Sequence, residues 1–218
     1  SYTGTETLGE GRLAVTGNNA VVDWVLVEIR DAVTPSTILA RKAALLERDG
    51  DVIDSTTGSV DLSFPALPTG NYFVALRHRN HLGVMTEQAI ALSPTPSLVD
   101  FTLAATPTFG THARLLSGTK ALLWAGDANM DNAVIADGPG NDTNELIGAV
   151  LTASGNTLFN TNYKLMGYRA SDIDLSGATL FAGAGNDTNL LLGNVILHPL
   201  NNTFAVNYVI QGTVPQAQ

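Results

Sequence analysis

An internal repeat restricts the fold of this chain more than any other feature. Displacing the 218-residue sequence by 45 positions lays residues 125–167 over residues 170–212 without a gap. Asp127 falls on Asp172, and Gly140-Asn141-Asp142-Thr143-Asn144 falls on Gly185-Asn186-Asp187-Thr188-Asn189. Leu146, Gly148 and Val150 meet Leu191, Gly193 and Val195; Asn156, Phe159, Asn162, Tyr163 and Gly167 meet Asn201, Phe204, Asn207, Tyr208 and Gly212. A period of this length marks one supersecondary unit that buries its apolar face against its copy. Each unit is expected to hold a short helix after the Gly-Asn-Asp-Thr-Asn block. Asp142 or Thr143 can cap the first, where Leu146, Ile147, Val150 and Leu151 recur at three- and four-residue spacing. Leu191, Leu192, Val195 and Ile196 do the same in the second, which His198-Pro199 ends.

The chemistry lies in the loop that opens each unit. The first reads Asp127-Ala128-Asn129-Met130-Asp131-Asn132-Ala133-Val134-Ile135, with side-chain oxygens at positions one, three and five and a turn residue at six. The second, Asp172-Ile173-Asp174-Leu175-Ser176-Gly177-Ala178-Thr179-Leu180, keeps that spacing. Alternate oxygens on a tightly turned backbone converge on one point, and the seventh residue, Ala133 or Ala178, offers its carbonyl. A hard cation that takes six to eight oxygens suits such a loop, so calcium is expected at two sites. Magnesium, which keeps waters and an octahedral shell, suits it less. Asx-turns and helix caps draw on the same residue types without a metal; two loops in register weigh against that simpler reading. Ser176 in place of Asp131 leaves the second loop one negative charge poorer, so weaker binding is expected there.

These loops resemble those of EF-hands and, more closely, of dockerins, which also carry two in tandem; Trp124-Ala125-Gly126-Asp127-Ala128-Asn129 is similar to the Gly-Asp-x-Asn start of dockerin-like repeats in secreted bacterial proteins. The resemblance implies a closing acid at the twelfth position, where this chain has Gly138 and Gly183. Asp142 and Asp187 are inferred to supply it, which places an insertion in each loop.

The N-terminal half has a different grammar. Val25, Val27 and Ile29 alternate against the mixed face of Trp24, Leu26, Glu28 and Arg30, and Asp49-Gly50 sits between two apolar runs as a hairpin signal. Strands are also expected over residues 60–64, 71–76, 83–92 and 98–103, about seven in all at sandwich-like spacing. The run Leu67-Pro68-Thr69-Gly70-Asn71-Tyr72-Phe73-Val74-Ala75-Leu76 resembles a turn and strand of immunoglobulin-like and prealbumin-like modules of bacterial surface proteins. The expected organisation is a β-sandwich over residues 1–105, a linker over 106–120 and the tandem loop units over 121–218. The fold class is thus mainly β with short helices.

Composition excludes several functions. A net charge of -9 without a Lys/Arg cluster repels a nucleic-acid backbone. The chain has no cysteine, hence neither disulfides nor thiolate chemistry. No apolar run reaches membrane-spanning length, and Ser1-Tyr2-Thr3-Gly4 is not a signal peptide, so an exported protein would be read here in its mature form. His78 and His81 suggest a zinc pair, though a strand end before a turn explains them equally. Asn-x-Thr triplets at Asn141, Asn186 and Asn201 match glycosylation acceptors, two of them inside the loop blocks. Asp23, Glu28 and Glu47 are expected to be solvent-facing strand carboxylates rather than paired catalytic acids. No nucleophile triad or phosphate loop is present, and no catalysis is expected. The expectation is an extracellular calcium-stabilised structural or adhesive protein that self-associates by lending its Thr/Gly-rich segment Ser1–Glu10 to a neighbour's sheet. The other reading is a non-catalytic module for a carbohydrate or a dockerin-type protein partner.

Overall fold

The fold follows from a computed structural model that describes residues 2–217. The N-terminal half forms one antiparallel sheet of six strands: β1 (Val21–Asp31), β2 (Ile38–Glu47), β3 (Val52–Asp54), β4 (Gly70–Arg77), β5 (Val84–Met85) and β6 (Ile90–Leu92). The long strand β1 is central, flanked by β2 and β4; β3 lies outside β2, and β5 and β6 both pair with β4. The expected Asp49-Gly50 turn joins β2 to β3, with Gly50 at φ 102°.

One face of this sheet carries the alternating set Val25, Val27 and Ile29 with Ala44 and Tyr72. Leu62, Phe64 and Leu67 pack on it from an extended segment that pairs with no strand. The expected strands over 60–64 and 98–103 are therefore irregular among the described residues. Leu62 and Phe64 of the first cover the sheet, whereas Leu98 in the second is 93% exposed and that segment makes only an isolated bridge, Leu103 to Lys120. Residues 83–92 split into the short β5 and β6 around a turn.

The opposite face departs from expectation more sharply. Glu28 is 1% exposed, and its carboxylate pairs with Arg30, Arg41 and Arg77 at 2.5, 3.0 and 3.1 Å. Asp23 and Glu47 are buried as well, so none of the three acids faces solvent. Burying a lone carboxylate is prohibitive, and the three guanidinium groups are what makes Glu28 tolerable there. The C-terminal tail crosses this face: the Pro215 carbonyl accepts bonds from Arg30 and Arg77, and Val214 packs with Phe73, Ala75 and Met85.

A hairpin of β7 (Arg114–Ser117) and β8 (Lys120–Leu123) begins inside the stretch expected as a linker. The repeat units follow. The first holds β9 (Ala133–Ile135), α1 (Thr143–Leu151) and β10 (Leu165–Met166). The second holds β11 (Ala178–Thr179), α2 (Asp187–Leu197) and β12 (Val209–Gln211). Both helices lie where the repeat placed them. Asn141 and Asn186 each accept the backbone N–H three residues on, from Asn144 and Asn189, which fixes the helix starts.

The units exchange their last strands. Strand β10 of the first pairs with β11 of the second, and β12 of the second pairs with β9 of the first. The registers are related by the 45-residue shift: Leu165↔Thr179 and Met166↔Ala178 become Ile210↔Val134 and Gln211↔Ala133. Neither unit is complete alone. A single core results, with Val134, Leu146, Ile173, Leu191, Val195 and Ile210 around Trp124, whose Nε1 donates to the His112 carbonyl. Leu191 is fully buried there. Leu191→Ala is expected to lower unfolding stability by about 2–5 kcal/mol, seen as a fall in denaturant midpoint.

Residues 77–82 join the two halves. Asn80 receives the Gly126 N–H at its carbonyl, and Leu82 donates to the Trp124 carbonyl at 2.8 Å. Among the described residues the N-terminal segment forms no strand. It lies on its own chain, with Glu6 accepting the Ala43 N–H and the Thr7 carbonyl accepting the Ser55 hydroxyl.

Candidate metal centre

Each loop is shaped by residues in left-handed conformation at matching places. Met130 and Asn132 have φ of 61° and 71°, and their mates Leu175 and Gly177 have 59° and 86°. Such backbone is costly for Met and Leu and persists only where the surroundings enforce it. Here the loop side chains do so by accepting successive N–H groups. Asn129 Oδ1 takes the Asp131 N–H at 2.9 Å, Asp131 Oδ1 takes that of Ala133 at 2.9 Å, and Asp127 Oδ2 takes that of Asn132 at 3.2 Å. In the second loop Asp174 Oδ1 takes the Ser176 N–H, and Asp172 takes those of Ser176 and Gly177, all at 3.0 Å.

The carboxylates of Asp142 and Asp187 fold back onto the backbone of their loops. The insertion after Ile135 closes on itself: the Asp142 N–H reaches the Ile135 carbonyl at 2.9 Å, and Asn141 donates to the Gly138 carbonyl. Gly138 and Gly140, at φ 114° and 73°, make that closure possible. The Asp142 carboxylate then accepts three backbone N–H groups, from Ala128 and Asn129 at Oδ1 and from Ile135 at Oδ2, at 2.8, 3.2 and 2.8 Å. Asp187 accepts the equivalent three, from Ile173, Asp174 and Leu180, at 2.6, 3.1 and 2.8 Å. Both are therefore fasteners that tie the start of the loop to its end. Only Oδ2 of each keeps a lone pair beyond these bonds.

Asp127 is the least satisfied of these groups. The residue is 8% exposed, and its Oδ1 is buried without any hydrogen-bond partner. Among the described residues no Lys, Arg or His pairs with Asp127, Asp131 or Asp142. Burial and the neighbouring Asp142 and Asp131 charges push the Asp127 carboxyl up to about 7. Burial pushes Asp142 up to about 6 against the pull of its three amides. Burial likewise raises Asp172 and Asp187. A buried acid with a free oxygen, two acidic neighbours and no internal cation is chemically suited to a divalent ion. Asn129 and Asp131 are the neighbouring loop residues with side-chain oxygens, and Asp131 is near enough that its charge raises Asp127. In the second loop Asp172, Asp174 and Asp187 bring carboxylate oxygens within 4.8 Å of one another. There the Ala178 carbonyl accepts the Ser176 hydroxyl at 3.2 Å.

Beside the second loop lies a polar cluster that sequence reasoning did not assemble. Asp23 accepts from Arg79 and from the Tyr168 hydroxyl at 3.1 and 2.6 Å, and His78 Nε2 stands 3.1 Å from it. These partners outweigh burial and hold the Asp23 carboxyl down at about 2. The rings of His78 and His81 meet edge to face at 4.6 Å; His78 Nε2 lies near Asp23, and His81 Nδ1 meets the Asn80 side-chain oxygen at 2.8 Å. Burial pushes His81 down to about 3. Asn80 donates to the Ala170 and Asp172 carbonyls at 2.9 and 2.6 Å. Nothing in the short run Arg77-His78-Arg79-Asn80-His81 indicates these partners, since they lie about 55 to 93 positions away in the chain.

No helix among the described residues is long and apolar enough to cross a membrane. The chain matches no family model, no curated protein and no solved structure, and the reading of these loops rests on their geometry.

Proposed function

We propose that this protein is a non-catalytic, calcium-stabilised extracellular subunit, structural or adhesive, whose paired loops are dockerin-like calcium sites. The observation that carries the metal reading is Asp127, a buried carboxylate with an orphaned oxygen and no cation beside it. Calcium held by Asp127, Asn129, Asp131, the Ala133 carbonyl and the free lone pair of Asp142 would neutralise that loop. The second loop would use Asp172, Asp174, Ser176, the Ala178 carbonyl and Asp187, with less charge and weaker binding. Extracellular calcium modules work at dissociation constants of roughly 0.1–1 mM, a range that fits loops in which amides already occupy part of the oxygen set. The absence of cysteine leaves a metal and packing as the means of rigidity.

Assembly is the second half of the proposal. Strand β3 covers β2 only at Ala44–Leu46, so the outer edge of β2 from Ile38 to Lys42 pairs with no strand among the described residues. The segment from Tyr2 to Glu10 meets β2 at one bond, Glu6 accepting the Ala43 N–H, and otherwise bonds Ser55 and Thr56. Exchange of that segment onto a neighbour's β2 edge would link subunits by strand addition. Electron microscopy with calcium, and again after chelation, tests this. Assemblies that form, dissolve on chelation and vanish on deletion of residues 1–10 support it; a monomer under all conditions refutes it.

One observation favours the reading as a partner-binding module. Phe159 and Phe204 occupy equivalent positions, both in left-handed conformation (φ 52° and 55°) and 71% and 65% exposed. A strained backbone that presents two aromatic rings to solvent suits recognition. If that reading holds, Phe159→Ala with Phe204→Ala is expected to abolish glycan-array or pull-down binding without changing the melting temperature.

A further inference from the structure

The two loops share a backbone but not an electrostatic environment, and the difference lies in Arg79. Its guanidinium Nη2 stands 3.8 Å from Asp172 Oδ2, while Nη1 donates to the Asp172 carbonyl at 3.4 Å and to the Arg169 carbonyl. The group cannot easily leave. Asp23 holds it through both Nε and Nη2 at 3.1 Å, and it lies over the Tyr168 ring, 4.4 Å from the centroid. Tyr168 in turn donates to Asp23. Both Asp172 oxygens accept backbone N–H groups besides, so this carboxylate has no orphan. In the first loop no guanidinium stands beside Asp127 among the described residues: Arg77 reaches the Asn132 side-chain oxygen at 3.3 Å, and Asp127 Oδ1 has no partner.

We propose that Arg79 is a built-in counter-cation of the second loop, which weakens calcium there and makes that loop an ionic joint between the sheet and the repeat units. The calcium part of this inference rests on the function proposed above. A fixed positive charge beside the first ligand repels an incoming divalent ion and lowers its affinity by charge rather than by ligand geometry. Arg79 thereby sets the inequality of the two sites more than Ser176 does. It also carries the contact across the joint, since Asp23 belongs to β1 and Asp172 to the second repeat.

Two measurements on the full chain separate this inference from the calcium reading. The first is calorimetric titration of CaCl2 into wild type and Arg79→Met, which keeps the aliphatic stem. The second, weaker site is expected to tighten about tenfold in the variant while the first is unchanged. An unchanged or weakened second site overturns the proposal. The second measurement is a double-mutant cycle in chelator, with urea midpoints of wild type, Arg79→Met, Asp172→Asn and the double variant. Coupling between Arg79 and Asp172 is expected, so the double variant falls short of the sum of the single losses. Strict additivity overturns the built-in cation whatever calcium does. Coupling without any calcium uptake in either protein retains the ionic joint and overturns both the calcium reading and the proposed control of affinity.

Discussion

Asp142→Ala is expected to unfold the C-terminal half or to leave it barely stable. Asp142 is fully buried, and its removal leaves the N–H groups of Ala128, Asn129 and Ile135 without an acceptor. A stranded donor costs about 1–3 kcal/mol when buried, as at Ala128, and less where part-buried, as at Asn129 and Ile135, so a loss of roughly 3 kcal/mol is expected from a total of about 5–15 kcal/mol. Asp142→Asn is expected to lie between. Its amide oxygen still serves Ala128 and Asn129, while its NH2 group meets the Ile135 N–H. The effect has a pH signature in chelator. Burial places the Asp142 carboxyl at about 6, so below that pH the wild type carries no charge there and the alanine variant loses only acceptors. Above it the substitution also relieves a buried charge. Urea midpoints are therefore expected to differ more at pH 5 than at pH 8. An alanine variant with a wild-type midpoint would mean that the fastener is not structural. Asp187→Ala is expected to behave alike, because Asp187 holds the equivalent three amides.

Asp127→Asn is expected to stabilise the calcium-free protein at high pH and to lose most of that advantage in calcium. In chelator the wild-type carboxyl is at about 7 in the folded protein, well above the ordinary value of 3.8. Between those values the folded state holds a proton that the unfolded state has released. The contribution of Asp127 to stability is thus complete near pH 4 and lost as pH rises through 7. Buried His81, held down at about 3, acts in the opposite sense over part of that range, as does His198. The pH profile of wild type alone is therefore a composite. The difference between variant and wild type isolates Asp127. Asp127→Asn is expected to be nearly neutral near pH 4 and more stable than wild type by up to about 4 kcal/mol at pH 8. Calcium works against this. An ion that binds only the folded state stabilises wild type by about 2.7 kcal/mol at a hundred times its dissociation constant, and the variant loses that gain.

The parts of the fold legible in the sequence were those written in local spacing. The 45-residue repeat, both helices, the Asp49-Gly50 turn and the alternating face of β1 all stand where short-range pattern put them. Asp142 was legible as a residue that returns to the loop, because its block repeats. That its oxygens are mostly taken by amides was not, since an N–H acceptor and a metal ligand require the same side chain. Segments 60–64 and 98–103 alternate like strands, yet pairing is a tertiary event that alternation cannot guarantee. Glu28 reads as an exposed acid until Arg41 on β2 and Arg77 on β4 come beside it. Exchange of β10 and β12 between the units was hidden for the same reason: two- and three-residue strands leave almost no local signal. Arg79 and Asn80 became visible only when the turn after β4 met the second loop.

The central claim, that the first loop is a calcium site built on Asp127, is tested most directly by calorimetric titration of CaCl2 into chelator-stripped protein beside Asp127→Asn. Saturable uptake by wild type is predicted, with loss of the tighter phase in the variant and a weak response to magnesium. A wild-type protein that gives no calcium heat and no rise in melting temperature, while remaining folded, would contradict it.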